Sequence, residues 1–296
     1  MPDQNAASRR RGVLLYLLAI FFFAINDALG KWLVADYTVG EMLALRAVGA
    51  AFVLAPMVWR LKVALTDCRR VGLQALRILF MAVDTFCFYY ATRTMPLADV
   101  MTFYMAAPVI ITALSAIVLG EQVEPIRWAA IALGFVGVLV ALQPSPEIFA
   151  HASPIALLGA LMYALGQTTT RALRGAHWLH LVVWQFAGAG LIGAATMPFG
   201  FVAPGPFDLA LLFLLGVTAM TCFIFMTKAL ALTPASVLAP FQYTAILWAT
   251  LLGLIIWRDT PSLPIALGNA LIIASGFVVL HAERTRSVAA AAAAAE

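Results

Sequence analysis

PIRWAAIALGFVGVLV, residues 125 to 140, has a counterpart in PIALGNALIIASGFVV, residues 264 to 279: the same Pro-Ile start, then an apolar run with small residues every three or four positions. Three more pairs keep the same order. AINDALGKWL (24–33) lines up with ALGQTTTRAL (164–173), RAVGA (46–50) with QFAGA (185–189), and ATRTMPLADV (91–100) with ALALTPASV (229–237, one gap). The separation stays near-constant, about 137 to 140 residues. Chance matches between apolar segments do not hold register along a whole chain, so the sequence divides into two related halves.

What each half contains follows from hydropathy. The 296 residues are 64% hydrophobic and only 11% charged, whereas soluble domains average about 25% charged, so the chain lacks the polar surface to stay in water. Ten apolar runs fall at about 13–34, 40–59, 71–91, 97–119, 125–142, 154–173, 180–199, 208–231, 235–256 and 262–281. Each is close to the ~20 residues that cross the bilayer core as a helix. None has the apolar/polar alternation of a membrane β-barrel strand. The expected fold is all-α: a polytopic membrane protein of ten transmembrane helices.

Five spans per half is an odd number, so the second half enters the membrane from the opposite side. The expected architecture is two inverted five-helix repeats, residues 1–148 and 149–285, with a tail at 286–296 whose alanine-rich end resembles an appended cloning remnant. Inverted repeats of this kind build many secondary transporters, with the substrate site between them. The first run is too long for a signal-peptide core and reads as a retained helix.

Basic residues set the orientation. With the N-terminus cytoplasmic, Arg9, Arg10, Arg11, Arg60, Lys62, Arg69, Arg70, Arg127, Arg171, Arg174, Lys228, Arg284 and Arg286 lie on or near the inner side, and only Lys31, Arg93 and Arg258 on the outer. That asymmetry predicts N-in and C-in. The net charge of +4 is spread over short loops and predicts no nucleic-acid partner. Cys68, Cys87 and Cys222 have no metal-ligand spacing, and no metal or cofactor is expected. The absence of GxxxxGK[ST] argues against direct ATP drive. With no HExxH or GxSxG, and with His151, His177, His180 and His281 in loops or at span ends, the sequence offers no catalytic residues and predicts no enzyme.

Several polar residues lie inside the spans, where an ionised group costs about 2.5–3.5 kcal/mol on insertion scales. Asp27, Arg46 and Asp84 are each six or seven residues from the outer end of their span, roughly 10 Å deep at 1.5 Å per residue. They are expected to share one level, with Arg46 paired to Asp27 or Asp84 and Asn26 supplying an amide. The alternative is a structural ion pair holding spans 1 to 3. Lys31 shares a face with Asp27 and snorkels outward. In the second half Gln167 and Gln185 stand where Asp27 and Arg46 stand in the first, and Gln242 lies at similar depth. Neutral amides next to charges suit a zwitterion, although amides also serve as glue between helices. Lys228 reaches cytoplasmic water or a substrate carboxylate. Tyr90, Tyr104, Trp184 and Tyr243 are the expected aromatic liners. Pro108 and Pro240 interrupt helical hydrogen bonding and are candidate hinges. Spans 5 and 10, rich in small residues, read as scaffold or oligomer contacts.

The fourth span contains Pro108 and ends LGEQV (119–123), followed by RWAAIALGFVGVLV (127–140), and the third closes YYATRTMPLADV (89–100). With these motifs the chain resembles the EamA type of the drug/metabolite transporter superfamily, aromatic amino acid exporters among them, over about residues 13–281. The second half departs from the pattern, with Trp257, Arg258 and Asp259 in place of a Gly-Glu step and its proline early, at Pro240. The resemblance implies ten helices, a central cavity and outward movement of amino acids or related metabolites. The functional expectation is a secondary transporter of the bacterial inner membrane that works by alternating access on a small-molecule substrate, lipid-embedded, as a monomer or weak homodimer. A broad drug or cation efflux carrier of the same superfamily is the alternative.

Overall fold

The computed structural model describes residues 2–62, 70–94, 97–142, 153–252, 255, 263–264 and 266–278. Cys68, Arg69, His151, Trp257, Arg258, Asp259, His281, Arg284, Arg286 and the alanine-rich tail lie outside them. Among the described residues the chain is helical, without strands: α1 (Pro2–Leu33), α2 (Val39–Leu61), α3 (Val71–Thr94), α4 (Leu97–Tyr104), α5 (Ala107–Leu119), α6 (Pro125–Leu142), α7 (Ser153–Ala172), α8 (Trp178–Thr196), α9 (Pro206–Leu232), α10 (Ala235–Leu238), α11 (Thr244–Leu252) and α12 (Ala266–Val278). Five of these, in α1, α2, α3, α8 and α9, are long and apolar enough to cross a membrane, and α5, α6 and α12 are shorter apolar helices.

The fourth and ninth apolar runs are not continuous helices. Proline has no N–H and its ring clashes with the carbonyl four residues back. Accordingly α4 stops at Tyr104, Met105 and Ala106 turn, and α5 restarts with Pro108 in its first turn. In the second half α10 gives way to a 3-10 segment, Ala239–Tyr243, that carries Pro240 before α11 begins. Both expected hinge prolines therefore sit at breaks rather than at bends of an intact helix. At its other end α5 closes on Gly120, whose φ of 64° is readily reached only without a Cβ, and the turn carries Glu121 back towards the bundle.

Helix packing follows a pattern that survives exchange of the two halves. α1 packs on α9 as α7 packs on α3, α2 lies on α8, α2 meets α9 as α8 meets α3, and α1 meets α11 as α7 meets α5. Close approach uses glycine: a Cβ on Gly216 of α9 would clash with the Arg46 carbonyl oxygen of α2, and one on Gly137 of α6 would fall 2.9 Å from the Gly268 carbonyl oxygen of α12. The small residues of spans 5 and 10 thus bring α6 and α12 together within the chain.

Polar side chains gather at the two ends of the bundle. At one end Arg171 Nε donates to Glu121 Oε1 at 2.9 Å and its Nη1 to the Leu230 carbonyl at 2.7 Å. Glu121 Oε2 also accepts from the Ser236 hydroxyl at 3.4 Å, and Arg127 Nη1 donates to that hydroxyl at 3.4 Å. At the other end Tyr37 donates to Asp208 Oδ2 at 2.8 Å, which raises the phenol's pKa. There Arg93 donates to the carbonyls of Val34 and Tyr37, and Glu41 Oε2 accepts from Val202 N–H. α1 runs from the Glu121 end to the Tyr37 end, whereas α7 finishes at the Glu121 end with Arg171. Likewise α3 finishes at the Tyr37 end with Arg93, and α9 runs from Asp208 to Leu230, the other way.

Candidate substrate-binding site

Between these ends a cavity of about 40 Å³ is enclosed by α1, α2, α3, α4, α7 and α9. Its walls follow helical spacing. α1 contributes Phe23, Asn26 and Asp27; α3 contributes Met81, Asp84, Thr85, Phe88 and Tyr89; α7 contributes Tyr163 and Gln167; α9 contributes Ala219, Cys222, Phe223 and Met226. Residues three and four apart share one helix face, so each helix presents one stripe. α2 adds Arg46 and α4 adds Tyr104.

Two carboxylates and one guanidinium thus face the same small volume, walled by six aromatic rings. Asp27 is 4% exposed, Arg46 6% and Asp84 7%. Asp84 accepts a hydrogen bond from the Tyr104 hydroxyl at 2.8 Å. The Asn26 amide donates to the Leu215 carbonyl at 3.0 Å and to Thr218 Oγ1 at 3.2 Å, fastening α1 to α9. The expected direct pairing of Arg46 with Asp27 or Asp84 is not made: Arg46 Nε and Asp27 Oδ2 have no hydrogen-bond partner, and the tyrosine holds Asp84. The three charges share a cavity instead of a salt bridge. Gln167 completes the group, with its Nε2 on the Met226 sulfur at 3.3 Å and its Oε1 unpartnered.

Buried polar atoms are nearly always hydrogen-bonded. Three orphans around one cavity (Asp27 Oδ2, Arg46 Nε, Gln167 Oε1) mark acceptors and a donor that a ligand can satisfy. The volume is far below the roughly 300–1,000 Å³ of small-molecule pockets, so this arrangement of helices is too tight for a metabolite, and taking one up requires the walls to part.

Of the residues expected at the site, Asn26, Asp27, Arg46, Asp84, Tyr104 and Gln167 are brought together, and the remainder lie elsewhere. Tyr90 is 53% exposed and lines an outer groove with Thr38, Phe86 and Phe199; it follows Tyr89, and one residue turns the side chain by about 100°. Trp184 is 39% exposed, its ring tilted against His180 at 6.3 Å between centroids. Gln185 is buried on α8, which sends no side chain into the cavity. Gln242 Oε1 accepts from Tyr16 at 3.1 Å. Tyr243, turned by the 3-10 segment, packs beside Gly134 of α6, in a cluster with Met105, Val138, Ile246 and Ile272. Lys228 lies outside the cavity, its Nζ 3.9 Å from the centre of the Trp178 ring, a cation–π contact. The aromatic liners not expected from sequence are Phe23, Phe88, Tyr89, Tyr163 and Phe223. A step of four from Asp84 reaches Phe88 and one from Thr85 reaches Tyr89, whereas steps from Asp84 alone lead to Tyr90, so spacing counted from the carboxylate does not pick out Tyr89.

Comparison with known proteins bears on what such a cavity serves. The EamA-like transporter family model matches twice, over residues 10–143 and 152–281. The chain belongs to this family. The family consists of transporters, not enzymes. Among relatives, the pseudopaline exporter of Pseudomonas aeruginosa is 26% identical, covering 92% of this chain and 94% of that protein. A riboflavin transporter of Rhizobium johnstonii is 27% identical over 93% and 92%, and an S-adenosylmethionine uptake transporter of Rickettsia prowazekii is 22% identical over 92% and 93%. A solved crystal structure superposes with a TM-score of 0.79 at 20% identity, covering 92% of this chain and 98% of the other, which supports the fold. This family member is therefore a membrane-embedded transporter of a small molecule.

Proposed function

We propose that the protein is a secondary transporter that exports amino acids, aromatic ones among them, or related metabolites across the bacterial inner membrane by alternating access. The observation that carries this reading is the central cavity, where two carboxylates, one guanidinium and an unpaired amide oxygen are enclosed by aromatic rings. An α-amino acid supplies complements for all but Asp84, which Tyr104 holds: its ammonium to Asp27 and Gln167, its carboxylate to Arg46, its ring to the aromatic walls. Relatives named for riboflavin and S-adenosylmethionine, which both carry heteroaromatic rings, fit the same kind of wall.

The reading includes ten spans in two inverted halves, residues 1–148 and 149–285, with both termini cytoplasmic. The exchange-symmetric packing and the opposed directions of α1 and α7 and of α3 and α9 support it. Under this topology the Glu121 end faces the cytoplasm. Both ends are pinned across the halves, by Glu121–Arg171 and by Tyr37–Asp208, and alternating access is release of one pin set at a time, with the broken helices at Pro108 and Pro240 as hinges. The transporter works as a monomer or weak homodimer.

The excess of one carboxylate favours a second reading, efflux of organic cations. Proteoliposome flux distinguishes the two: radiolabelled phenylalanine or tryptophan is transported and is competed by unlabelled amino acids more strongly than by ethidium. Ethidium flux without amino acid flux would replace the first reading by the second, and no flux of either would end both. Repeating the assay with and without a pH gradient tests whether Asp27 or Asp84 couples transport to protons.

A further inference from the structure

A second polar group lies away from the central cavity, where α3, α7 and α8 meet near the Glu121 end. Arg77 of α3 is fully buried. Its Nε donates to Thr170 Oγ1 at 2.7 Å and its Nη1 to the Leu181 carbonyl at 3.0 Å, while Nη2 has no partner. No carboxylate answers its charge among the described residues. One turn closer to the end, Gln74 is 3% exposed with both amide atoms unpartnered, and His180 of α8 is 4% exposed with Nε2 unpartnered.

Gln74 and His180 line a cleft of about 950 Å³ that opens at this end. Among the described residues the cleft also carries Lys62, Arg70, Arg171 and Arg174 against one carboxylate, Glu121, which Arg171 and Ser236 already engage. α8 begins here, with His177 as its cap, so the positive end of that helix dipole points to the same space. The floor thus holds the unpartnered Gln74 amide and His180 Nε2, beneath a rim of positive charge and with the Arg77 guanidinium buried one turn further along α3. An amide N–H and an imidazole carrying its proton on Nε2 are donors that an oxyanion in a cationic cleft completes.

We propose that this junction is a second ligand site, separate from the central cavity, which takes the carboxylate or phosphate group of a small anion or of a lipid headgroup. Gln74 and His180 contact the anion, and Arg77, held by Thr170 and Leu181, supplies the buried charge beneath it. The site stands independently of the substrate reading above; that reading's topology only assigns it to the cytoplasmic side.

The test titrates inorganic phosphate into the purified full chain in phosphatidylcholine nanodiscs, by calorimetry and by melting temperature. Phosphate binds the wild type and raises its melting temperature, and Gln74→Leu or His180→Phe weakens that binding at least tenfold. The empty Gln74→Leu protein melts no lower than wild type, because two unpaired buried atoms are removed; a structural amide would instead lower the melting temperature. Asp84→Asn, in the central cavity, leaves phosphate affinity within twofold. Nanodiscs containing phosphatidylglycerol separate the sources of the anion: loss of phosphate binding there assigns the site to the lipid headgroup, and retained binding assigns it to a soluble anion. Phosphate binding unchanged in both Gln74→Leu and His180→Phe, or lost equally in Asp84→Asn, would overturn the proposal.

Discussion

Replacing Glu121 by glutamine tests whether the ion pair it makes is a closure of its end of the bundle. Glu121 Oε1 lies 2.9 Å from Arg171 Nε, and the two side chains are 11% and 7% exposed. Glutamine keeps the size and the acceptor oxygen but removes the charge. Removing one charge of a buried ion pair costs about 3–5 kcal/mol; glutamine keeps one hydrogen bond to the guanidinium and the pair is partly solvated, so the pin weakens by about 2 kcal/mol. If the pin exists only when this end is closed, the ratio of open to closed rises about 30-fold, at 1.4 kcal/mol per factor of ten. Cys222 is a native reporter, since it lines the central cavity and is 2% exposed. In a Cys68→Ser, Cys87→Ser background, its alkylation by an impermeant maleimide from the Glu121 side should accelerate on the order of 30-fold in Glu121→Gln, if opening limits the rate. Arg171→Met should act in the same direction. An unchanged rate, or an acceleration only from the opposite face of the membrane, would refute the assignment of Glu121 and Arg171 as a closure.

Tyr37→Phe removes the 2.8 Å bond to Asp208 and should accelerate Cys222 alkylation from the Tyr37 side only, measured in vesicles of known orientation. Asp27→Asn and Asp84→Asn should each lower amino acid flux at least tenfold (about 1.4 kcal/mol or more) with melting temperature unchanged or raised, because a buried charge without a bonded counter-ion is destabilising. Flux retained in both would remove the carboxylates from the substrate site. Arg46→Met with fold and flux intact would likewise leave Arg46 as packing. Gly216→Ala sets a methyl against the Arg46 carbonyl and should destabilise the chain by about 1–3 kcal/mol, read as a lower temperature of fluorescence-detected aggregation.

The sequence alone determined that this is a helical membrane protein built from two related halves, because hydropathy and register are local properties that survive without coordinates. It also marked Asn26, Asp27, Arg46, Asp84, Tyr104 and Gln167, since polar groups at depth in apolar spans stand out by cost alone. Tertiary structure decided what those residues touch. Arg46 and the carboxylates share a cavity without a salt bridge, because Tyr104 reaches Asp84 from a helix that Pro108 cuts short, a contact set by how α4 is placed rather than by depth. The break at Pro240 swings Tyr243 into packing beside Gly134, and a single step around α3 puts Tyr89 inside and Tyr90 outside. Direction around a helix and distance between helices are settled only when all the helices are packed together, and those two quantities separate a cavity wall from a face turned to lipid.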